Sequence, residues 1–417
     1  ENHDVHHEKT RGTSMKIPAT MNETTGRNGI LSNLTDIFRS NIREYGMLIA
    51  LIAVMIFFQI RTDGILMKPV NITNLVLQNS YVIIMALGML LIIVSGWIDL
   101  SVGSVAAFVG AIAGVMMVKW GWNWALTILL CLIVGGLIGA WQGYWVAYVK
   151  IPAFIVTLAG MLIFRGLTLV MVRGEAIGPF PVPFGRMSTG FIPDFFKMPG
   201  FHLTTIVIGV IISILLIWFD VRTRRNQLKY GFEVTPFYFF VAKQVLITAA
   251  IMGFCYLMAS YKGIPNVLVI MFPFVAAYAF LTNQTVIGRR IFAMGGNEKA
   301  ARLSGVNTPR LLFLTFVNMG VLAALAGMIV AARLNSATPN AGEGFELDVI
   351  AACFIGGASA SGGIGTIIGA VVGAFFIGVM NNGMSILGVG IDWQQAIKGF
   401  VLLIAVFFDV YNKNKSV

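Results

Sequence analysis

Long apolar stretches, separated by short runs of turn-forming or charged residues, make up most of this chain. A membrane-spanning helix takes about 20 apolar residues, and stretches close to that length occur repeatedly. Their approximate ranges are 46–60, 74–95, 100–118, 124–149, 153–172, 202–219, 238–258, 264–281 and 311–332. Of the 417 residues, 57% are hydrophobic and 11% are charged, whereas a soluble domain is about 25% charged. The pattern predicts an all-α polytopic membrane protein with about ten transmembrane helices.

The last part of the chain is less regular. Its apolar segments lie at 349–358, 364–386 and 396–410. The first is too short to span a membrane, so we predict a broken or half-crossing helix that leads into the glycine-rich run 356–363. A similar interruption at 95–104 divides two earlier stretches. Irregular segments at matching places in two halves are typical of transporters with internal repeats. We therefore predict a weak internal repeat.

Basic residues concentrate in two clusters between the apolar stretches. The clusters are Arg222, Arg224, Arg225 and Lys229, and Arg289, Arg290, Lys299, Arg302 and Arg310. Positive charge in short loops marks the cytoplasmic side, and six crossings followed by two more place both clusters there. We predict cytoplasmic termini: a largely disordered tail over 1–44, a transmembrane domain over 45–410, and a short tail over 411–417. The net charge of +11 is explained by orientation, so no nucleic-acid partner is expected.

The cytoplasmic loop 282–310 has its own helical signal. Asn297 is a good N-cap for a short helix over 298–303, and Gly305 is a good terminator. Gly295 and Gly296 precede this helix and separate it from the span before it. We predict that the helix docks into another protein through a small apolar contact formed by Ala300, Ala301 and Leu303, with Arg302 at the rim.

The segment 288–310 resembles the cytoplasmic coupling loop of the permeases of bacterial sugar ABC importers, the ribose, galactose, arabinose and xylose group. Further segments typical of that family occur in the family's order, at 98–104, 152–161, 164–166, 356–365 and 381–385. Within the family the chain is most similar to permeases for xylose and for multiple monosaccharides, through 141–148 and the second half. It departs from the family at 358–361 and at Gly96 and Trp97.

The resemblance implies a homodimeric permease of a bacterial inner membrane that imports a monosaccharide, such as D-xylose or a related pentose or hexose. It also implies lipid contact, a separate ATPase that carries ATP and Mg, and a sugar-binding protein outside. The chain contains no Gly-Lys dipeptide and so no P-loop. We expect no catalytic residue, cofactor or metal here. The expected ATPase-coupling residues are Arg289, Arg290, Gly295, Gly296, Asn297, Glu298, Ala300, Ala301, Arg302, Leu303, Ser304 and Gly305.

Polar residues inside the spans are candidates for the pathway or its gates. A neutral sugar needs hydrogen-bond donors and acceptors, which selects Gln78, Asn79, Asp99, Ser101, Asn318, Asn381 and Asn382. An equally good alternative for each amide is that it holds helices together, and the alternative for Asp99 is that it caps a helix beginning at Leu100. Glycines spaced by four at 135, 139 and 143, and at 365, 369 and 373, fit packing within the chain or a subunit interface.

Two other functions fit parts of the pattern. An importer of the same architecture could carry branched-chain amino acids or nucleosides, although the amide-rich candidates favour a neutral substrate. An ion-coupled secondary sugar transporter would need carboxylates in the middle of the membrane, and Asp99 alone is thin support for it. A membrane enzyme is disfavoured because the spans contain no nucleophile–base pair.

Overall fold

The computed structural model describes residues 42–232, 234 and 236–415. The chain separates into two units, residues 1–45 and residues 46–417, and the account below concerns the second. Nearly all of the predicted tail over 1–44 lies outside the described residues. In the predicted tail over 411–417, the last helix continues through Lys415.

The described residues form helices joined by short connections. The first seven are α1 (Ile42–Arg61), α2 (Pro69–Val94), α3 (Val102–Gly114, continued by a π-helical turn Val115–Lys119), α4 (Trp124–Ala147), α5 (Ala153–Val172), α6 (Val182–Thr189) and α7 (Leu203–Lys229). The others are α8 (Phe237–Ala259), α9 (Asn266–Gln284), α10 (Val286–Gly296), α11 (Glu298–Leu303), α12 (Thr308–Leu334), α13 (Phe345–Ile355), α14 (Ile367–Ile386) and α15 (Ile391–Lys415). Ten of them are long and apolar enough to cross a membrane, which confirms the predicted class of fold.

The core lies around α2 and α12, which are mostly buried, whereas α7, α8 and α15 are largely exposed. We call the end of the bundle that carries α10 and α11 the inner end, and the opposite end the outer end. Close helix contacts in the core depend on glycine. A Cβ at Gly139 of α4 would lie 2.3 Å from the carbonyl oxygen of Phe316 in α12, and a Cβ at Gly373 of α14 would lie 1.9 Å from that of Ala352 in α13. Both sets of glycines spaced by four therefore pack within the chain.

The chain is broken twice at mid-depth of the bundle. After α2 ends at the inner end, residues 95–101 run without helical structure, and α3 begins at Val102. After α12, residues 335–344 return from the outer end, and α13 begins at Phe345. Phe345 stacks on Tyr81, half-way along α2, with ring centroids 3.9 Å apart. Gly342 packs against Gly103 in the first turn of α3, so α3 and α13 begin side by side.

The two breaks make an internal repeat. A long helix, a break, a shorter helix and a spanning helix follow one another as α2–α3–α4 and again, in the opposite direction, as α12–α13–α14. The sequence suggested pairing 95–104 with the glycine run 356–363, and this pairing is wrong. The glycine run lies at the inner end, where the Gly363 N–H donates to the Val94 carbonyl at 2.8 Å. The second break is 335–344.

Candidate functional site

The loop at the inner end contains the short helix that the sequence predicts. The Asn297 side chain accepts a hydrogen bond from the Ala300 N–H at 3.0 Å, which caps α11 at Glu298. Gly305 follows the helix with φ +84°, a conformation that favours glycine. One detail of the prediction is wrong, because Gly295 and Gly296 are the last residues of α10 and not a separating linker.

The exposed face of α11 is narrower than the predicted contact. Leu303 is 91% exposed and Ala300 is also exposed, but Ala301 is buried against the protein and cannot contact a partner. Arg302 pairs with Glu298 at 2.7 Å, and both side chains hydrogen-bond to Thr308, the first residue of α12. These bonds fix α11 to the start of α12 and leave Leu303 as its most prominent apolar side chain.

Gly295 joins this loop to the core. A Cβ on Gly295 would lie only 1.6 Å from the Val94 carbonyl oxygen, at the end of α2, and 2.8 Å from the Gly363 nitrogen. On the other side of the contact, a Cβ on Gly362 would meet the Gly295 carbonyl oxygen at 2.8 Å. Three backbones therefore meet here: the end of α10, the end of α2 and the turn between α13 and α14.

The first break is held by a buried polar cluster, which brings together the predicted residues Asp99 and Ser101. The Asp99 carboxylate accepts hydrogen bonds from the Ser101 N–H at 2.8 Å and the Ser101 hydroxyl at 2.6 Å. Gln142 of α4, which was not among the predicted residues, donates its amide to the Ser101 hydroxyl oxygen at 2.8 Å. Because α3 begins at Val102, Asp99 does not cap a helix beginning at Leu100; it fixes the residue before the helix.

A second buried cluster surrounds Asp348 in the first turn of α13. Lys398 of α15 lies 2.8 Å from one carboxylate oxygen. The other oxygen accepts hydrogen bonds from the Tyr81 hydroxyl and the Asn381 amide, each at 3.3 Å. Of these residues the sequence singled out only Asn381, because contacts between four separated helices leave no local pattern. A buried ion pair of this kind requires each charge to keep its partner.

A charged pair, Arg165 with Glu343, lies near the second break. Arg165 of α5 donates to the Ala341 carbonyl at 2.7 Å and pairs with Glu343 at 3.0 Å. The Glu343 side chain is 65% exposed, although it lies only one residue from Gly342 at mid-depth. Charged groups at this depth face a bundle interior, a watery cavity or another protein, because exposure to lipid chains is costly. This face is therefore unsuited to lipid.

The predicted amides occupy two kinds of position. Asn79 donates to the Ala374 carbonyl at 2.7 Å, and Asn382 exchanges hydrogen bonds with Asn71 at 2.8 and 3.1 Å. Asn318 accepts a short hydrogen bond from Tyr278. These contacts hold neighbouring helices together, whereas Gln78 on α2 is exposed.

The spanning helices, the inverted pair of broken segments and the capped loop at the inner end define a polytopic transport protein. Comparison with known proteins makes the assignment more specific. A family model described as "Branched-chain amino acid transport system / permease component" matches residues 71–406, and the chain belongs to this permease family.

Individual relatives cover nearly the whole chain. It is 38% identical over 376 residues to the Xylose transport system permease protein XylH of Escherichia coli, which covers 90% of this chain and 94% of that protein. The protein of the same name from Haemophilus influenzae is 39% identical over 375 residues, 90% of this chain and 98% of the relative. The Ribose import permease protein RbsC of Escherichia coli is 35% identical over 339 residues, 81% of this chain and 85% of the relative. No solved structure matches the chain.

Proposed function

We propose that the chain is the membrane subunit of an ATP-binding-cassette importer that moves a monosaccharide, D-xylose or a related pentose, into the cytoplasm. The observation that carries this proposal is the similarity to xylose permeases over 90% of the chain. The ribose permease, also a sugar transporter by name, matches over a smaller share of the chain. The described polar groups suit a neutral solute, because Asp348 and Glu343 are each paired with a cation.

The partners in this proposal are an ATPase, an extracytoplasmic sugar-binding protein and a second copy of the chain. Leu303 on the exposed face of α11 is suited to a groove in the ATPase, because a large apolar side chain gains most when it is removed from water. The second copy would pack near the face around Arg165 and Glu343, and the sugar pathway would run between the two copies. This face suits that role because it is charged at mid-depth. The inner end faces the cytoplasm because it carries the basic clusters.

The backbone contact at Gly295 supplies a route for coupling. A movement of the ATPase against α11 displaces α10, whose Gly295 rests on the end of α2 and on the turn at Gly362. That turn continues from α13, a single helix that reaches mid-depth and carries Asp348 in its first turn. Short, closely packed backbone contacts transmit displacement well because packed interiors are not readily compressible. ATP hydrolysis then shifts the second break relative to the first.

Two alternatives are distinguished by chemistry. A branched-chain amino acid carries both charges, and its importer needs unpaired ionic or helix-terminal contacts, whereas Glu343 and Asp348 are each paired with a cation. An ion-coupled transporter needs a cation site that fills and empties, whereas Lys398 neutralises Asp348 and the Asp99 carboxylate is held by two hydrogen bonds from Ser101.

The test is reconstitution. The tagged chain is purified in mild detergent with its co-purifying ATPase, placed in nanodiscs and supplied with binding protein, and ATP hydrolysis is measured with D-xylose, ribose or leucine. The proposal expects stimulation by xylose-loaded binding protein and its loss in Leu303→Asp. Leu228→Asp is the matched control, because Leu228 is also exposed at the inner end. Stimulation by leucine alone, or xylose transport driven by an ion gradient without ATPase, would refute the proposal.

A further inference from the structure

A groove of ≈ 400 Å³ opens at the inner end between α9, α10 and α12. Its wall is apolar and includes Leu281 of α9, Ile291 of α10 and Leu311 and Leu314 of α12. Leu314 is 49% exposed, so the groove is open on one side. We call this feature the inner groove.

Two arginines lie at the inner groove, Arg290 from α10 and Arg310 from α12. Both are exposed, and neither has a hydrogen-bond or ion-pair partner among the residues that the structure describes. Their neighbour Arg302 differs, since Glu298 neutralises it. Two unneutralised guanidinium groups beside one apolar groove favour a ligand that combines an anion with a hydrocarbon part.

The polar groups of the inner groove are arranged by depth. Arg310, Leu314 and Asn318 are spaced by four residues and so lie on one face of α12. At 1.5 Å per residue, Asn318 lies about 12 Å along the helix from Arg310. Its carbonyl oxygen accepts from Tyr278, but its buried amide nitrogen has no acceptor within the described part of the chain. The inner groove is therefore basic at its mouth, at Arg310, and apolar at Leu314.

We propose that the inner groove binds an anionic phospholipid. Its phosphate contacts Arg290 and Arg310, and one acyl chain lies along Leu314 and Leu281. Basic pockets between transmembrane helices recognise anionic headgroups in this way. An acidic loop of a soluble partner would neutralise the arginines but would leave the apolar depth of the groove open. The lipid would bridge α10 and α12 beside the short helix α11.

The test uses the whole chain in detergent, without ATPase or sugar, so that its result is independent of the proposed transport function. Native mass spectrometry measures bound lipid during titration with phosphatidylglycerol or with phosphatidylcholine. We expect one retained phosphatidylglycerol per chain, at least fivefold preferred over phosphatidylcholine, and at least fivefold weaker retention in the Arg290→Gln/Arg310→Gln variant. The matched control is Arg289→Gln/Lys299→Gln, which removes the same charge nearby without altering the groove lining and is expected to retain lipid within twofold of the wild type.

A second variant keeps both arginines. Leu314→Trp fills the groove and is expected to lower phosphatidylglycerol retention at least threefold while the thermal midpoint stays within 2 °C or so of the wild type. Equal retention of the two lipids, or unchanged retention in the arginine variant, would overturn the proposal. So would binding of inorganic phosphate that competes with the lipid but is insensitive to Leu314→Trp, because the site would then hold a free anion.

Discussion

Replacing Gly295 with alanine tests the contact that joins α10 to the core. A Cβ at this position would lie 1.6 Å from the Val94 carbonyl oxygen, and ordinary contact requires a separation larger by about 1.8 Å. The carbonyl cannot move aside easily, because it also accepts the Gly363 N–H. Over-packing of this kind typically costs about 1–3 kcal/mol. The least costly response is for α10 to separate from the end of α2.

The adjacent glycine provides a matched control. Gly296 is also helical, and a Cβ there has nothing within 4 Å. Alanine is favoured over glycine in a helix by about 0.5–1 kcal/mol, so Gly296→Ala is expected to be neutral or slightly stabilising. The two variants differ by one residue position and have the same composition. Any difference between them therefore reports the backbone contact and not helix propensity.

The assay has two readouts in the reconstituted complex, the thermal midpoint and ATP hydrolysis stimulated by sugar-loaded binding protein. Because 1.4 kcal/mol changes an equilibrium tenfold, a cost of about 2 kcal/mol on the docked state of α10 leaves it undocked in a large share of molecules if docking is only marginally stable. We expect Gly295→Ala to lose most of the stimulation and Gly296→Ala to keep it. Equal stimulation in both variants would refute the reasoning that force passes through this contact.

The remaining predictions concern stability and are measured by thermal unfolding in detergent. Lys398→Met alone should destabilise the protein by about 3–5 kcal/mol, because it leaves the buried Asp348 carboxylate unpaired; Asp348→Asn should cost less, because Lys398 is 23% exposed, and the double variant should recover most of the Lys398→Met loss, whereas simple additivity would contradict this. Gly139→Ala should cost about 1–3 kcal/mol against the α12 backbone, whereas Gly136→Ala, which meets only a side-chain methyl at 3.3 Å, should cost less. Hydrogen bonds from the first turn of α7 lower the pKa of Asp194, so its stabilisation is complete above the ordinary carboxyl pKa and is lost as pH falls through the lowered value; the midpoints of the wild type and Asp194→Asn should therefore converge in acid, and a constant difference would contradict the linkage.

The sequence predicted the features that depend on local pattern. Long apolar runs marked the spanning helices, and the capping residue Asn297 together with Gly305 marked α11 to the residue. The sequence did not predict the depth of residues in segments that fold back towards the middle of the bundle. Residues 335–344 fold back to mid-depth, where Phe345 stacks on Tyr81, more than 250 residues earlier in the chain. No local pattern records such a pairing.

The direction of a side chain on a short helix was also unpredictable. Ala300 and Ala301 are chemically identical, but the first is exposed and the second is buried. Which one faces a partner depends on how Arg302 and Glu298 fix α11 against Thr308. The sequence alone predicts that α11 is a docking helix. Which of its side chains form the exposed surface depends on the tertiary structure.

The two halves of the internal repeat carry different residues at equivalent places in their polar clusters. Gln142 and Asn381 each lie five residues before the end of the spanning helix of their repeat, α4 and α14. The eighth residue of the helix that comes next is Gly160 in α5 and Lys398 in α15. A Cβ on Gly160 would lie 2.5 Å from the Gln142 amide nitrogen, so glycine makes room for Gln142 there. Lys398 instead reaches Asp348. The attraction between these two charges weakens as the surrounding dielectric constant rises, so separating them is easier where water reaches the pair.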